Sequence, residues 1–83
     1  MNNQHYILPV IEQCSHIPQL LSIKDVCIYT GLSRSTIYEL TNERSDRYDP
    51  TFPKKVQLTQ VRVMWVASEI AKWINAKIAL RLI

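Results

Sequence analysis

The segment Leu21–Arg44, LSIKDVCIYTGLSRSTIYELTNER, constrains the fold more than any other, because it carries one helix-start signal twice. Ser22 has the side chain of an N-cap, and Asp25 stands three residues on, where an acid can complete a capping box. Leu21 before the cap and Val26 after it have the spacing of a hydrophobic staple. Ser33 repeats the pattern, with Leu32 before it and Ile37 at the staple position. Between the two lies Gly31, the only glycine in the chain, where a backbone position with φ > 0 is expected. The signals predict a helix over Ile23–Tyr29, a corner at Thr30-Gly31-Leu32, and a second helix over Arg34–Glu43. Two short helices joined by a glycine-bearing corner form a helix-turn-helix.

Helical spacing then assigns faces. Ile23, Val26 and Cys27 point inward from the first helix, and Lys24 and Ile28 fall off that face. Ile37 and Leu40 point inward from the second, with Thr41 or Arg44 at the edge. Arg34, Ser35, Tyr38 and Glu39 are left on its outer face, with Thr36 at the boundary. The first residues of the second helix are those that reach base edges in such a unit. Arginine is the commonest partner of guanine, and Ser and Thr address several bases or phosphates. Tyr38 offers a hydroxyl to phosphate and a ring to sugar. The same Arg-Ser-Thr cluster also suits ordinary capping, and Glu39 suits a solvated helix surface equally well.

The rest of the chain supplies what two short helices lack. Residues 45–54, SDRYDPTFPK, read as a loop, since Pro50 and Pro53 exclude helix and Ser45, Asp46 and Asp49 favour turns. Phe52, held by Pro53, is expected to plug the core edge. Residues 55–66 alternate with period two in two runs separated by Thr59-Gln60. Val56 and Leu58 share one side of the first run, and Val61, Val63 and Trp65 share one side of the second. A hairpin follows, its apolar side docked on the helices and its tip projecting Gln60 and Arg62. It lacks the Asn-Gly or Asp-Gly of a tight turn, so a wider one is expected. A last helix is expected from a cap at Ser68, with Glu69 in its first turn and an inward stripe of Ile70, Trp73, Ile74 and Ile78. Trp65 and Trp73 are expected to be the largest contributors to the core.

Length and charge narrow the function classes. At 83 residues the chain is one domain with a small core, and 47% hydrophobic content with clear patterning argues against disorder. No apolar run approaches a membrane span, and MNNQHYILPVIEQ has no basic region of the kind that opens a signal peptide, so a cytoplasmic protein is expected. The net charge is only +3, but all ten basic residues lie from Lys24 onward. Arg44, Arg47, Lys54, Lys55 and Arg62 fall in one short region, as expected of a phosphate-binding surface. The two cysteines make no disulfide framework in a cytosolic protein; Cys27 suits the core, and Cys14 with His16 lacks the further ligands of a closed zinc site. No metal, cofactor or catalytic residue set is expected, because there is no phosphate-cradling glycine loop, carboxylate pair or Ser-His-Asp constellation. Residues 1–19 leave several readings open. The apolar Tyr6, Ile7, Leu8, Val10 and Ile11 suit packing on the domain, a short helix from about Pro9 to Cys14, a subunit contact, or an arm without fixed order.

The order helix, turn, helix, loop, hairpin, helix is that of a mostly α winged helix-turn-helix of the compact excisionase and MerR-like kind. Three stretches resemble the AlpA family of phage-type regulators: TGLSRSTIYEL (Thr30–Leu40), RYDPTFPKKVQL (Arg47–Leu58) and VMWVASEIAKWI (Val63–Ile74). The resemblance implies a small DNA-binding protein of prophages and integrative islands, acting on integrase genes or as an excisionase. It implies base reading by Ser33, Arg34, Ser35, Thr36 and Tyr38, and a wing role for Lys54, Lys55 and the turn. Lys24, Arg44, Arg47, Gln60 and Arg62 complete the expected contacts to the DNA backbone and wing. The chain departs from the family in the wing. Leu58-Thr59-Gln60-Val61 replaces the usual Leu-Gly, the basic residue comes one later at Arg62, and Met64 stands where a glycine is often seen.

The partners this implies are double-stranded DNA, the cognate integrase and further copies of the chain on DNA, with no membrane. A second reading is an adaptor that contacts integrase or polymerase through the apolar arm and the tail Leu80–Ile83, with DNA binding secondary. On either reading residues 1–19 are an arm and residues 20–83 the domain.

Overall fold

A computed structural model describes residues 16–81. The arm before His16, including Cys14, and the final Leu82–Ile83 lie outside the described residues. The elements run β1 (Leu20–Leu21), α1 (Ile23–Thr30), α2 (Arg34–Thr41), β2 (Val56–Gln57), β3 (Val63–Val66) and α3 (Ala67–Leu80). Three helices and a three-stranded antiparallel sheet of order β1-β3-β2 form a small domain compatible with a winged helix-turn-helix.

Both cap signals are realised. Ser22 Oγ accepts from Asp25 N–H at 3.2 Å, and Ser33 Oγ accepts from Thr36 N–H at 3.1 Å. Gly31 takes φ 75°, ψ 10° and donates its N–H to Cys27 O at 2.8 Å, which ends α1 and turns the chain. A Cβ placed on Gly31 would meet no atom within 4 Å, so only the left-handed backbone opposes substitution. Gly31→Ala is therefore expected to destabilise the domain by about 1 kcal/mol, and Gly31→Asn by less, in urea unfolding. Equal stability of native and Gly31→Ala would remove the corner from the account.

The second helix is shorter than the sequence suggested, ending at Thr41 rather than Glu43. Asn42 leaves helical geometry at φ −95°, ψ 112°, and its side-chain Oδ1 accepts from Arg44 N–H at 3.0 Å. That local bond offers the backbone a turn in place of another helical residue. Successive turns follow, and Asp49 N–H returns to Leu40 O at 3.0 Å, tying the loop to the end of α2.

The core consists of Leu21, Val26, Ile37, Phe52, Trp65 and Ile70. Phe52 does plug it, stacking edge-on against Trp73 with ring centroids 4.9 Å apart. Trp65 is fully buried, whereas Trp73 is only partly so and packs on the core from outside. The Trp65 indole N–H meets no acceptor among the described residues.

The sheet corrects the sequence reading most. β1 was not expected, yet Leu21 pairs with Trp65 and Leu20 with Val66. In the wing, Val56 pairs with Met64 and Gln57 with Val63. Directly opposed residues in an antiparallel pair share a face. Val56 therefore joins Met64, and the side of Val63 and Trp65 receives Gln57 instead. Leu58 and Val61, assigned to the docked side, are exposed. The ladder stops at Gln57 because a wide turn intervenes, closed by Leu58 N–H to Arg62 O at 2.9 Å.

The last helix starts at Ala67, immediately after β3, with Val66 in the cap position and no side-chain cap. Ser68 thus lies inside the helix rather than before it. The free Ala67 N–H is met instead by Gln19 O at 2.8 Å, a bond only β1 pairing brings into reach. Ile70, Trp73 and Ile74 contact the core, but Ile78 is exposed because the helix outruns the small domain beneath it.

Asp49, read from sequence only as a turn former, joins loop and α3. Its carboxylate accepts from Thr51 N–H at 2.8 Å and from the Thr51 hydroxyl, receives the Trp73 indole N–H at 3.4 Å, and lies 3.6 Å from Lys77 Nζ. The Thr51 side chain above all, against desolvation and with help from Thr51 N–H, Trp73 and Lys77, holds its carboxyl below the ordinary 3.8. A lowered native value stabilises the fold above the unfolded value, and that contribution is lost as pH falls through the native one. The urea midpoint of the native protein is expected to drop below about pH 4 partly for this reason. Asp49→Asn is expected to cost about 1 kcal/mol at neutral pH and to flatten the acid limb. An unchanged acid limb in that variant would assign the effect to other carboxylates.

Candidate nucleic-acid interface

Helix α2 owes its orientation to Ile37, fully buried, and Leu40, packed against the core. With those two inward, Arg34 and Ser35 in the first turn are exposed, and Tyr38 is 44% exposed one turn on. Ser33 and Thr36 are differently engaged. Ser33 Oγ accepts from Thr36 N–H, and the two hydroxyls lie 2.9 Å apart in a hydrogen bond. Both hydroxyls therefore belong to the cap and stand at the start of the exposed face.

The cations fall into two groups. Arg47 Nη1 lies 3.4 Å from Glu39 Oε1, which ties the loop to the outer face of α2 and partly neutralises this arginine. Such an exposed pair adds well under about 1 kcal/mol to stability, so its interest is in where it holds the two side chains. Lys24, Arg34, Arg44, Lys54, Lys55 and Arg62 have no carboxylate within 4.0 Å among the described residues. Their charge is available to an external anion.

Tertiary structure gathers some of these residues and leaves others apart. A depression of about 460 Å³ is lined by Tyr38, Arg44 and Lys55, with Thr41, Asn42 and Glu43 between them. Lys54 and Lys55 line a neighbouring one of about 260 Å³ with Tyr48 and Phe52. The end of α2 and the approach to the wing thus present hydroxyl, guanidinium and ammonium groups on one concavity. Lys24, on α1, and Gln60 and Arg62, at the wing tip, line neither. Three lining residues, Thr41, Asn42 and Glu43, went unread as part of the site. Only Asn42 carried a signal, as a residue type that commonly ends helices.

Chemically the surface suits a polyanion: cations unpaired among the described residues outnumber the one carboxylate, Glu43, that lines the concavity, and hydroxyl and amide groups stand beside them. Among the described residues no three His, Cys, Asp or Glu side chains are grouped to hold a metal ion. No described helix is long and apolar enough to cross a membrane.

Comparison with known proteins bears on this surface directly. The family model described as prophage CP4-57 regulatory protein (AlpA) matches residues 19–78. The DNA-binding transcriptional activator AlpA of Escherichia coli (strain K12) is 41% identical over 59 residues, covering 71% of this chain and 84% of that protein. Uncharacterized protein ORF88 of Enterobacteria phage P4 is 38% identical over 61 residues, 74% of this chain and 62% of its own length. No solved structure matches. The matched span runs from just before β1 into the last turn of α3, so it takes in every element that builds and supports the surface, and this chain belongs to the AlpA family of prophage regulatory proteins.

Proposed function

We propose that the chain is a sequence-specific DNA-binding regulator of a prophage or integrative island. It acts in the cytoplasm on double-stranded DNA, controls an integrase gene, and serves as an excisionase where the integrase is its partner. The observation that carries this reading is the exposed first turn of α2, with the concavity of Tyr38, Arg44 and Lys55 at the other end of the same helix. A relative named as a DNA-binding transcriptional activator, and an uncharacterized relative from a phage, support it. A family of regulatory proteins is not a family of enzymes, and no catalytic step is assigned.

In this reading Arg34 and Ser35 address base edges in the major groove, with Thr36 and Ser33 holding the helix start against the backbone. Tyr38, Arg44, Lys54 and Lys55 take phosphates. Arg62 and Gln60 reach DNA from the wing, Lys24 from α1, and Arg47 acts through its grip on Glu39. Copies assemble side by side on DNA rather than as a preformed dimer. Footprinting of the purified protein on the element's attachment site and integrase promoter tests all of this. A single protected site at the promoter marks a regulator, and adjacent protected repeats at the attachment site mark an excisionase. Protection of neither, at low salt and micromolar protein, overturns the reading.

A further inference from the structure

Val61 is 91% exposed, more than any other large hydrophobic side chain among the described residues. It stands in the β2–β3 connection, where folding gains nothing from it. The connection is nevertheless well tied. Leu58 N–H and Thr59 N–H both donate to Arg62 O, at 2.9 and 3.4 Å. The Thr59 hydroxyl oxygen accepts from Val61 N–H at 3.3 Å and Arg62 N–H at 3.0 Å. Gln57 Nε2 donates to Thr59 O at 2.8 Å. A tied turn bearing a side chain stiff at χ1 presents one apolar shape, and little freedom remains to be lost on docking.

The surrounding charge says what kind of surface this tip meets. From Lys54 to Ser68 the chain carries three cations, Lys54, Lys55 and Arg62, and no acid. Arg62, next to Val61, has no carboxylate partner among the described residues. An apolar protein surface closing over Val61 would strip water from that charge without replacing it. A polyanion would seat the valine and neutralise the arginine together.

We propose that Val61 is a specificity-determining residue of the wing, seated in the DNA minor groove and selecting A·T over G·C pairs by rejecting the guanine amino group. The inference rests on the DNA-binding reading above. Both kinds of base pair show acceptors on the minor-groove floor, and only G·C adds a donor, the guanine N2 amino group. That group protrudes where the valine methyls would sit. Val61 has no acceptor to offer it, so seating over guanine leaves a desolvated, unpaired donor. Over A·T the floor is open, and Arg62 supplies a cation to the narrow, electronegative groove of A-rich DNA.

The test uses the full chain and a duplex site recovered by selection from random sequence. Replacing adenine by 2,6-diaminopurine, a few positions at a time, adds the amino group to the minor groove and leaves the major-groove edge unchanged. At the positions under the wing, affinity is expected to fall about tenfold. Replacing guanine by inosine, which removes the group, is expected to cause no loss there. Val61→Ser, whose hydroxyl accepts from the added amino group, is expected to shrink the diaminopurine loss to under about threefold. The substitution is at an exposed tip, so folding is not at stake. Equal native affinity for adenine and diaminopurine duplexes overturns the proposal, as does an undiminished loss in Val61→Ser. So does a Val61→Ser effect confined to cooperativity between adjacent copies, which would make the tip a protein contact. Failure to bind any duplex would instead overturn the DNA-binding reading itself.

Discussion

Trp65→Ala is expected to leave the domain largely unfolded at room temperature. Trp65 is fully buried and shares the core with Leu21, Val26, Ile37, Phe52 and Ile70. Truncating a buried tryptophan costs about 3–5 kcal/mol, and a domain of this size has a total stability of about 4–12 kcal/mol. The loss also strikes the sheet, because Trp65 lies on β3, the central strand, opposite Leu21 of β1. With β1 displaced, Gln19 O no longer meets Ala67 N–H, and α3 loses the bond that stands in for its cap. Trp65→Phe provides the contrast. It keeps an aromatic ring and removes an indole N–H that has no acceptor among the described residues, a group whose burial itself costs about 1–3 kcal/mol. The phenylalanine variant is expected to retain a cooperative melt, and the alanine variant to lose it. A cooperative transition in Trp65→Ala within a few degrees of the native one would show that β3 is not the centre of the core.

Arg34→Ala is expected to lower affinity for the specific site tenfold to a hundredfold, about 1–3 kcal/mol, with little change in non-specific binding. Arg34 is exposed in the first turn of α2 with no carboxylate partner among the described residues, so its removal costs the fold little. Lys55→Ala should behave differently. Lys55 shares a concavity with Tyr38 and Arg44, and in the proposed reading it meets phosphate whatever the sequence. Its loss is expected to weaken binding to all duplexes alike and to reduce the salt slope by about one unit. Fluorescence anisotropy with specific and scrambled duplexes over a salt series separates the two. If Arg34→Ala weakens both duplexes equally, the arginine belongs with the phosphate contacts and base reading moves elsewhere on α2.

The helix-turn-helix was legible in the sequence because its signals are local. A cap acts within three residues and a staple within five, and Gly31 marks a backbone conformation that other residues resist. The family resemblance was legible for the same reason, being carried by contiguous stretches. The wing was half legible. Alternation in residues 55–66 announced two strands, but it tolerates more than one register. The turn held by the Thr59 hydroxyl accompanies a register that pairs Val56 with Met64 and leaves Val61 in solvent.

What only the tertiary structure decided involves residues far apart in the chain. Leu20–Leu21 has no strand signal of its own and becomes β1 because β3 offers it an unpaired edge. Asp49 becomes a junction because Trp73 and Lys77 are brought to it. Arg47, and not Arg44, meets Glu39 among the described residues, because the loop folds back onto that side chain. The sequence by itself determined where the first two helices begin, where the chain turns between them and which family it joins, through interactions spanning a few residues. Which cations remain unpaired among the described residues, and which gather with Tyr38 in one concavity, depended on distances between segments that no local spacing encodes.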